Sequence, residues 1–98
     1  MQQITVDELA ALNGVALIDV REPDEYAADH VPGAANMPLS QLDERHGELP
    51  RDVPVLVICE AGGRSARAVE ALTAAGIDAV DVVGGTSAWR AAGNPVDA

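Results

Sequence analysis

Four consecutive apolar residues, Val55-Leu56-Val57-Ile58, stand between Pro54 and the Gly62-Gly63 pair, and a helical pattern follows at once. A short apolar run with such boundaries reads as a buried strand. The chain repeats the arrangement. Val15–Val20 and Ala79–Val83 are further apolar runs, and helical patterns lie between and after them. Strands that alternate with helices demand an α/β architecture, with a mostly parallel sheet covered by helices on both faces. The 98 residues suffice for one domain, 1–98. A chain of that length buries roughly 60–70% of its unfolded surface, so it needs no disulfide or metal staple. With no Phe, one Tyr and one Trp, its core must be built from Val, Leu, Ile and Ala.

The local signals sort the rest. Thr5 and Glu8 form a capping box for a helix that runs to Leu12 and stops at Asn13-Gly14. Pro23 starts a second helix from its first turn. Val31-Pro32-Gly33 is a turn, and Ala34–Met37 a short strand closed by Pro38. Ser40 is expected to cap a brief helix over Gln41–Glu44, with polar loop from His46 to Asp52. Ala68, Val69, Leu72 and Ala75 recur at helical spacing until Gly76 ends the helix. Gly84-Gly85 closes the last strand. Thr86 is expected to cap a final helix through Ala92, which Gly93-Asn94-Pro95 stops.

Charge removes several function classes. The formal net charge is −10, with six Arg and no Lys. A nucleic-acid binder needs a basic face, so nucleic acid is not an expected partner. No run reaches the ~18–20 apolar residues that cross a membrane. The N-terminus lacks the basic start and apolar stretch of a signal peptide. One cysteine cannot form an internal disulfide, so a cytoplasmic location is expected. An acidic molecule does not draw anions from a distance, so any anion site must be made locally.

The single cysteine, Cys59, ends the central apolar run and opens Cys59-Glu60-Ala61-Gly62-Gly63-Arg64-Ser65. That puts a thiol at the carboxyl end of a strand, in a glycine-bearing loop, at the mouth of a helix. An α/β protein places its chemistry there. Converging loop amides and the helix N-terminus favour thiolate, the nucleophilic form. The spacing to the arginine is Cys-x4-Arg, one residue shorter than the Cys-x5-Arg loop of cysteine-dependent phosphatases. A tighter loop leaves less room for a tetrahedral phosphate and still suits an attacked sulfur and the persulfide it leaves.

Three segments together resemble a single-domain rhodanese, a thiosulfate-type sulfurtransferase. They are Leu17-Ile18-Asp19-Val20-Arg21-Glu22-Pro23-Asp24-Glu25-Tyr26 with His30–Pro38 behind it, the Cys59–Ser65 loop, and Gly84-Gly85-Thr86-Ser87-Ala88-Trp89 with Ala92-Gly93-Asn94-Pro95. They frame nearly the whole chain in the family's order. The resemblance implies a small, mostly parallel five-stranded sheet flanked by helices. It implies ping-pong chemistry in which Cys59 takes the outer sulfur of a donor such as thiosulfate and an acceptor, cyanide or a thiol, removes it. No metal or organic cofactor is needed. By matching position Cys59 is the nucleophile, and Glu60, Ala61, Gly62, Gly63 and Arg64 form the cradle. Gly62 and Gly63 supply the loop's dihedral freedom, Arg64 a fixed positive charge for an anionic donor, and Ser65 a cap for the helix. Asp19 and Arg21 are expected to support the loop. With no second cysteine, the persulfide must pass to an external acceptor.

Other readings attach to the same residues. A lone cysteine is often a small buried hydrophobe, and Asp19 with Arg21 is also a plain strand-end ion pair. His30 and His46 lack metal-ligand spacing; His30 is expected to tie down the Val31-Pro32-Gly33 turn. Trp89 is expected to anchor packing. A Glu60 side chain aimed into the pocket would repel thiosulfate; aimed at solvent it would matter little. Two further functions compete with the enzyme: a sulfur-relay or binding module fed by a protein donor such as a cysteine desulfurase, and a phosphatase or arsenate reductase on the same fold.

Overall fold

The computed structural model describes residues 1–98. In chain order it contains β1 (Gln3–Ile4), α1 (Val6–Ala10), β2 (Ala16–Asp19), α2 (Pro23–Ala28), β3 (Ala35–Asn36), α3 (Leu42–Arg45), β4 (Val55–Ile58), α4 (Gly63–Ala74), β5 (Ala79–Val82) and α5 (Gly85–Ala91). Short 3-10 turns at Leu39–Gln41 and His46–Glu48 flank α3. The five strands form one sheet in the order β1-β5-β4-β2-β3, and all four pairings are parallel. No helix is long and apolar enough to cross a membrane.

The expected alternation of strand and helix is thus present, and the sheet is covered on both faces. On one face Val55, Val57, Ala79 and Ile18 pack under Leu42 of α3 and Ala68, Val69 and Leu72 of α4. On the other, Leu17, Leu56, Ile58, Val80 and Val82 pack under Val6 and Leu9 of α1 and Trp89 of α5. Central β4 is buried at every position, which is why its sequence is an unbroken apolar run rather than an alternating one. The Thr5–Glu8 capping box is formed in both directions, at 3.1 and 2.9 Å. His30 donates Nδ1–H to Tyr26 O (2.8 Å), stacks on the Tyr26 ring and pairs its backbone with Asp97.

Several local expectations differ. Helix α1 ends at Ala10, short of Leu12, because Ala11 already closes the turn onto Glu8 and Leu9. Strand β1 lies in a segment too short to signal itself; it exists because β5 offers an edge, Gln3 beside Asp81 and Ile4 beside Val82. Ser40 does not cap α3. Its hydroxyl donates to Glu22 (3.4 Å), and the preceding 3-10 turn leads directly into the helix. Part of the expected polar loop is the 3-10 turn His46–Glu48, held by Leu49 N–H on His46 O.

Strand order positions the site. After β2 the chain moves to edge strand β3; after β4 it moves the other way, to β5. The carboxyl ends of neighbouring β2 and β4 are therefore where successive connections diverge, the place where open α/β sheets bind their ligands. Asp19 ends β2, and Cys59 follows the last residue of β4.

Candidate functional site

Cys59 is 1% exposed and packs among the apolar residues beneath α3 and α4. Its Sγ accepts the Gly62 N–H at 3.0 Å and, as a thiol, donates to Ser65 Oγ at 3.3 Å. Gly62 holds φ +127°, a conformation that side chains rarely adopt, and this reversal aims its amide back at the sulfur. Gly63 is ordinary helix, so of the two loop glycines only Gly62 uses glycine's freedom.

Ser65 is not the N-cap of α4. Gly62 occupies that position, and Ser65 lies within the first turn, where its hydroxyl donates to Gly62 O at 3.1 Å. Once the thiol ionises, the same hydroxyl can rotate to donate to Sγ. Two donors then face the thiolate, at the positive end of a 12-residue helix. No cluster of three or more His, Cys, Asp or Glu side chains is arranged to hold a metal ion.

The other side of the loop rests on α5. Gly84 and Gly85 both have positive φ (+80° and +61°), and this double left-handed turn drives the first turn of α5 against the loop's backbone. Cys59 O accepts the Thr86 N–H at 2.8 Å and the Thr86 hydroxyl at 3.0 Å, while Glu60 O accepts the Ser87 N–H at 2.9 Å. Thr86 is therefore not the expected helix cap. Gly84 is the cap residue, and the Thr86 side chain is spent on the loop.

Arginines and carboxylates surround these contacts. Buried Arg21 (1% exposed) donates through Nε and Nη2 to Asp19, also buried, at 3.1 and 2.8 Å. It also donates to Asp29 O at 2.6 Å and to Glu60 at 3.2 Å. Arg90 of α5 donates to both oxygens of Asp29 at 2.7 Å, and to Glu60 at 2.7 and 3.2 Å. The Glu60 carboxylate is thus held between two guanidiniums, with its side chain 37% exposed. Its pKa is lowered, chiefly by the bond to Arg90 and further by Arg21. Asp29 is lowered by the same two partners. Arg64 donates to both oxygens of Glu25 on α2, at 2.6 and 2.9 Å. That bond holds Glu25 at about 2.

The structure therefore brings Cys59, Glu60, Gly62, Arg64, Ser65, Asp19 and Arg21 into one neighbourhood. Ala61 and Gly63 are exposed; Ala61 contributes loop backbone and Gly63 the first residue of α4. Sequence reasoning passed over Glu25, Asp29, Thr86 and Arg90 as site neighbours. Each lies on a helix or its end, and only tertiary packing brings it to the loop: Thr86 meets Cys59 across 27 positions, Arg90 meets Glu60 across 30 and Glu25 meets Arg64 across 39. Trp89, expected as an anchor, is buried under the sheet and donates Nε1–H to Pro95 O at 2.7 Å.

The rhodanese-like domain family matches residues 5–92. The crystal structure of a rhodanese-related protein from Thermoplasma volcanium superposes with a TM-score of 0.93 at 38% identity, covering 99% of this chain and 98% of that one. A protein named sulfurtransferase from Allochromatium vinosum is 35% identical over 89 residues, 90% of this chain and 83% of its own length. Bacillus subtilis YqhL is 40% identical over 91 residues, 91% of this chain and 72% of its own. Other relatives are much longer: the chain spans 51% of the Synechocystis protein slr1261 and 20% of the probable adenylyltransferase/sulfurtransferase MoeZ of Mycobacterium tuberculosis. A cysteine at the switch point of a five-stranded parallel sheet, in a loop of this shape, and a family match across most of its length agree: the chain belongs to the rhodanese-like family.

Proposed function

We propose that the protein is a sulfurtransferase that carries sulfane sulfur as a persulfide on Cys59. The observation that carries this reading is the pair of groups about Sγ at the start of α4: the Gly62 N–H, which donates to it at 3.0 Å, and Ser65 Oγ, which stands 3.3 Å from it. In the first step the Cys59 thiolate attacks the outer sulfur of a donor such as thiosulfate. The S–S bond of the donor breaks, its electron pair leaves with sulfite, and Cys59 holds S–S⁻. In the second step an acceptor, cyanide or a thiolate, attacks the terminal sulfur, and the electron pair returns to Cys59 as thiolate. Charge balances in both steps, and no redox partner or cofactor is required. A lone thiol serves only where it stays reduced, in keeping with a cytoplasmic location.

The test is intact-protein mass after incubation with thiosulfate. Wild type gains about 32 Da, one sulfur, and cyanide removes it; Cys59→Ser gains nothing. A sulfur gain that survives in Cys59→Ser overturns the reading. A second reading, relay from a protein donor to a protein acceptor, draws support from relatives named adenylyltransferase/sulfurtransferase, MoeZ and uba4, in which the matching region is a fraction of a longer chain. Loading by a cysteine desulfurase in the absence of thiosulfate separates it from the first. Phosphatase or arsenate reductase chemistry is disfavoured by the short Cys-x4-Arg loop. A structural relative from Rhodopseudomonas palustris described as a possible tyrosine phosphatase is 24% identical, which speaks for the fold alone. Turnover of p-nitrophenyl phosphate lost in Cys59→Ser would revive that reading.

A further inference from the structure

A cationic side chain can hold a small dianion at full charge only if no carboxylate already neutralises it, and the cations around Cys59 are already engaged. Arg21 is held by Asp19, Glu60 and the Asp29 carbonyl, and Arg90 by Asp29 and Glu60. Arg64 is next to Ser65 in the first turn of α4, the helix whose cap residue Gly62 donates to the thiol. Both its terminal nitrogens are bonded to both oxygens of Glu25. The remaining three arginines stand elsewhere: Arg45 pairs with Glu48, Arg51 donates to Ala75 O, and Arg67 is exposed one turn further along α4. Counting Asp19, Glu25, Asp29 and Glu60 against Arg21, Arg64 and Arg90, this neighbourhood carries four negative charges and three positive. It sits in a molecule whose net charge is −10.

The pairing of Arg64 is the part that bears on the donor. Arg64 is close enough for the Cys59 sulfur and Asp19 to favour its charge, although its bond to Glu25 dominates. The pair is about two-thirds buried on each side, so it is neither freely solvated nor locked in the core. A donor anion that is to meet an uncompensated positive charge at Arg64 must displace Glu25 from it.

We propose that Glu25 is the specificity-determining residue of this site. By occupying Arg64 it selects against small dianionic donors such as free thiosulfate, and in favour of sulfane-sulfur carriers with no negative charge beside the transferable sulfur. This rests on the sulfur-transfer reading above, and it makes a statement about charge at the thiol that can be measured without it.

The measurement uses two alkylating agents of the same chemistry, neutral iodoacetamide and anionic iodoacetate, on the full chain. The readout is the ratio of their second-order rates at Cys59, followed by mass. Coulomb energy scales with the charge of the incoming reagent. Glu25→Gln releases Arg64 and is expected to raise the iodoacetate rate about threefold, to leave the iodoacetamide rate within about twofold, and to raise thiosulfate loading about tenfold, the square of the monoanion effect. Salt shrinks the gain. Arg64→Gln unpairs Glu25 instead and is expected to lower the ratio by about threefold. The opposite signs separate an electrostatic role from general loosening, which would raise both reagents together. An unchanged ratio in Glu25→Gln overturns the proposal, as does an equal rise with both reagents or a ratio that moves the same way in both variants. If the ratio responds as described while no variant ever gains sulfur from any donor, the charge selection stands and the sulfur-transfer reading fails. Absence of Cys59 labelling by iodoacetamide in the native protein overturns both, since no donor would then reach the thiol.

Discussion

Gly85 is where the last helix meets the Cys59 loop. A Cβ built on it lies 2.5 Å from Cys59 O, 2.6 Å from Glu60 O and 2.7 Å from the Glu60 carbonyl carbon. None of these is the flexible end of a side chain, so Gly85→Ala must displace backbone. Its φ of +61° adds the left-handed penalty of an L-residue, roughly 1–2 kcal/mol. Gly14 provides the control: its φ is +66°, and nothing lies within 4 Å of its Cβ position. Gly14→Ala therefore measures the backbone penalty alone, about 1–2 kcal/mol. Gly85→Ala adds the loss or lengthening of the Thr86 N–H, Thr86 O–H and Ser87 N–H bonds to the loop, at roughly 0.5–1.5 kcal/mol each. The expected cost is about 3–5 kcal/mol, against about 1–2 for the control. In a domain of this size each kcal/mol lowers Tm by about 4–8 °C, so the two variants separate by more than about 8 °C. Urea unfolding followed by Trp89 fluorescence gives the free energies. The alkylation rate of Cys59 by iodoacetamide reports the loop: a shift of order 1 Å in the cradle alters it many-fold in Gly85→Ala and leaves it unaltered in Gly14→Ala. A Gly85→Ala variant no less stable than Gly14→Ala, with unchanged Cys59 reactivity, would refute the close approach.

Other consequences are as direct. Arg21→Met strands the fully buried Asp19 carboxylate with only the Arg21 backbone N–H (3.0 Å) as partner and is expected to cost about 3–5 kcal/mol, while Asp19→Leu combined with Arg21→Met recovers most of it; chemical denaturation of the four proteins of the cycle checks this. Acid should weaken the fold through Glu25. Its folded value of about 2 lies below the ordinary 4.5, so the unfolded chain binds the proton first, and the stability present above pH 4.5 is lost as pH falls towards 2. Glu25→Gln should flatten that limb of the stability curve by urea titration. Thr5→Ala removes the capping box of α1 and is expected to cost about 1 kcal/mol by the same assay, with Cys59 reactivity unchanged, since the cap is remote from the loop.

Much of this protein was legible from one dimension. Central strand β4 is apolar at every position because both of its faces are covered, and that pattern is visible without coordinates. Cys59 follows from it by adjacency: the residue after a buried parallel strand, before a glycine pair and a helix, is bound to lie at the sheet's carboxyl edge. The Thr5–Glu8 box and Gly76, at φ +84°, work through contacts within a few residues and so are written locally. What tertiary structure decided are the interactions whose partners are far apart in the chain. β1 is a strand only because β5 lends it an edge. Ser65 and Thr86 look like helix caps in isolation, yet Gly62 and Gly84 take those positions, and the two hydroxyls turn to the cysteine's sulfur and carbonyl. Arg64 reads in sequence as a free cation for an anion; Glu25, 39 positions earlier, occupies it. Glu60 reads in sequence as a lone carboxylate after the cysteine; Arg21 and Arg90, far away in the chain, hold it. Periodicity and capping are properties of neighbouring residues, so sequence carries them. Which charge finds which is a property of the packed helices, and only the fold determines it.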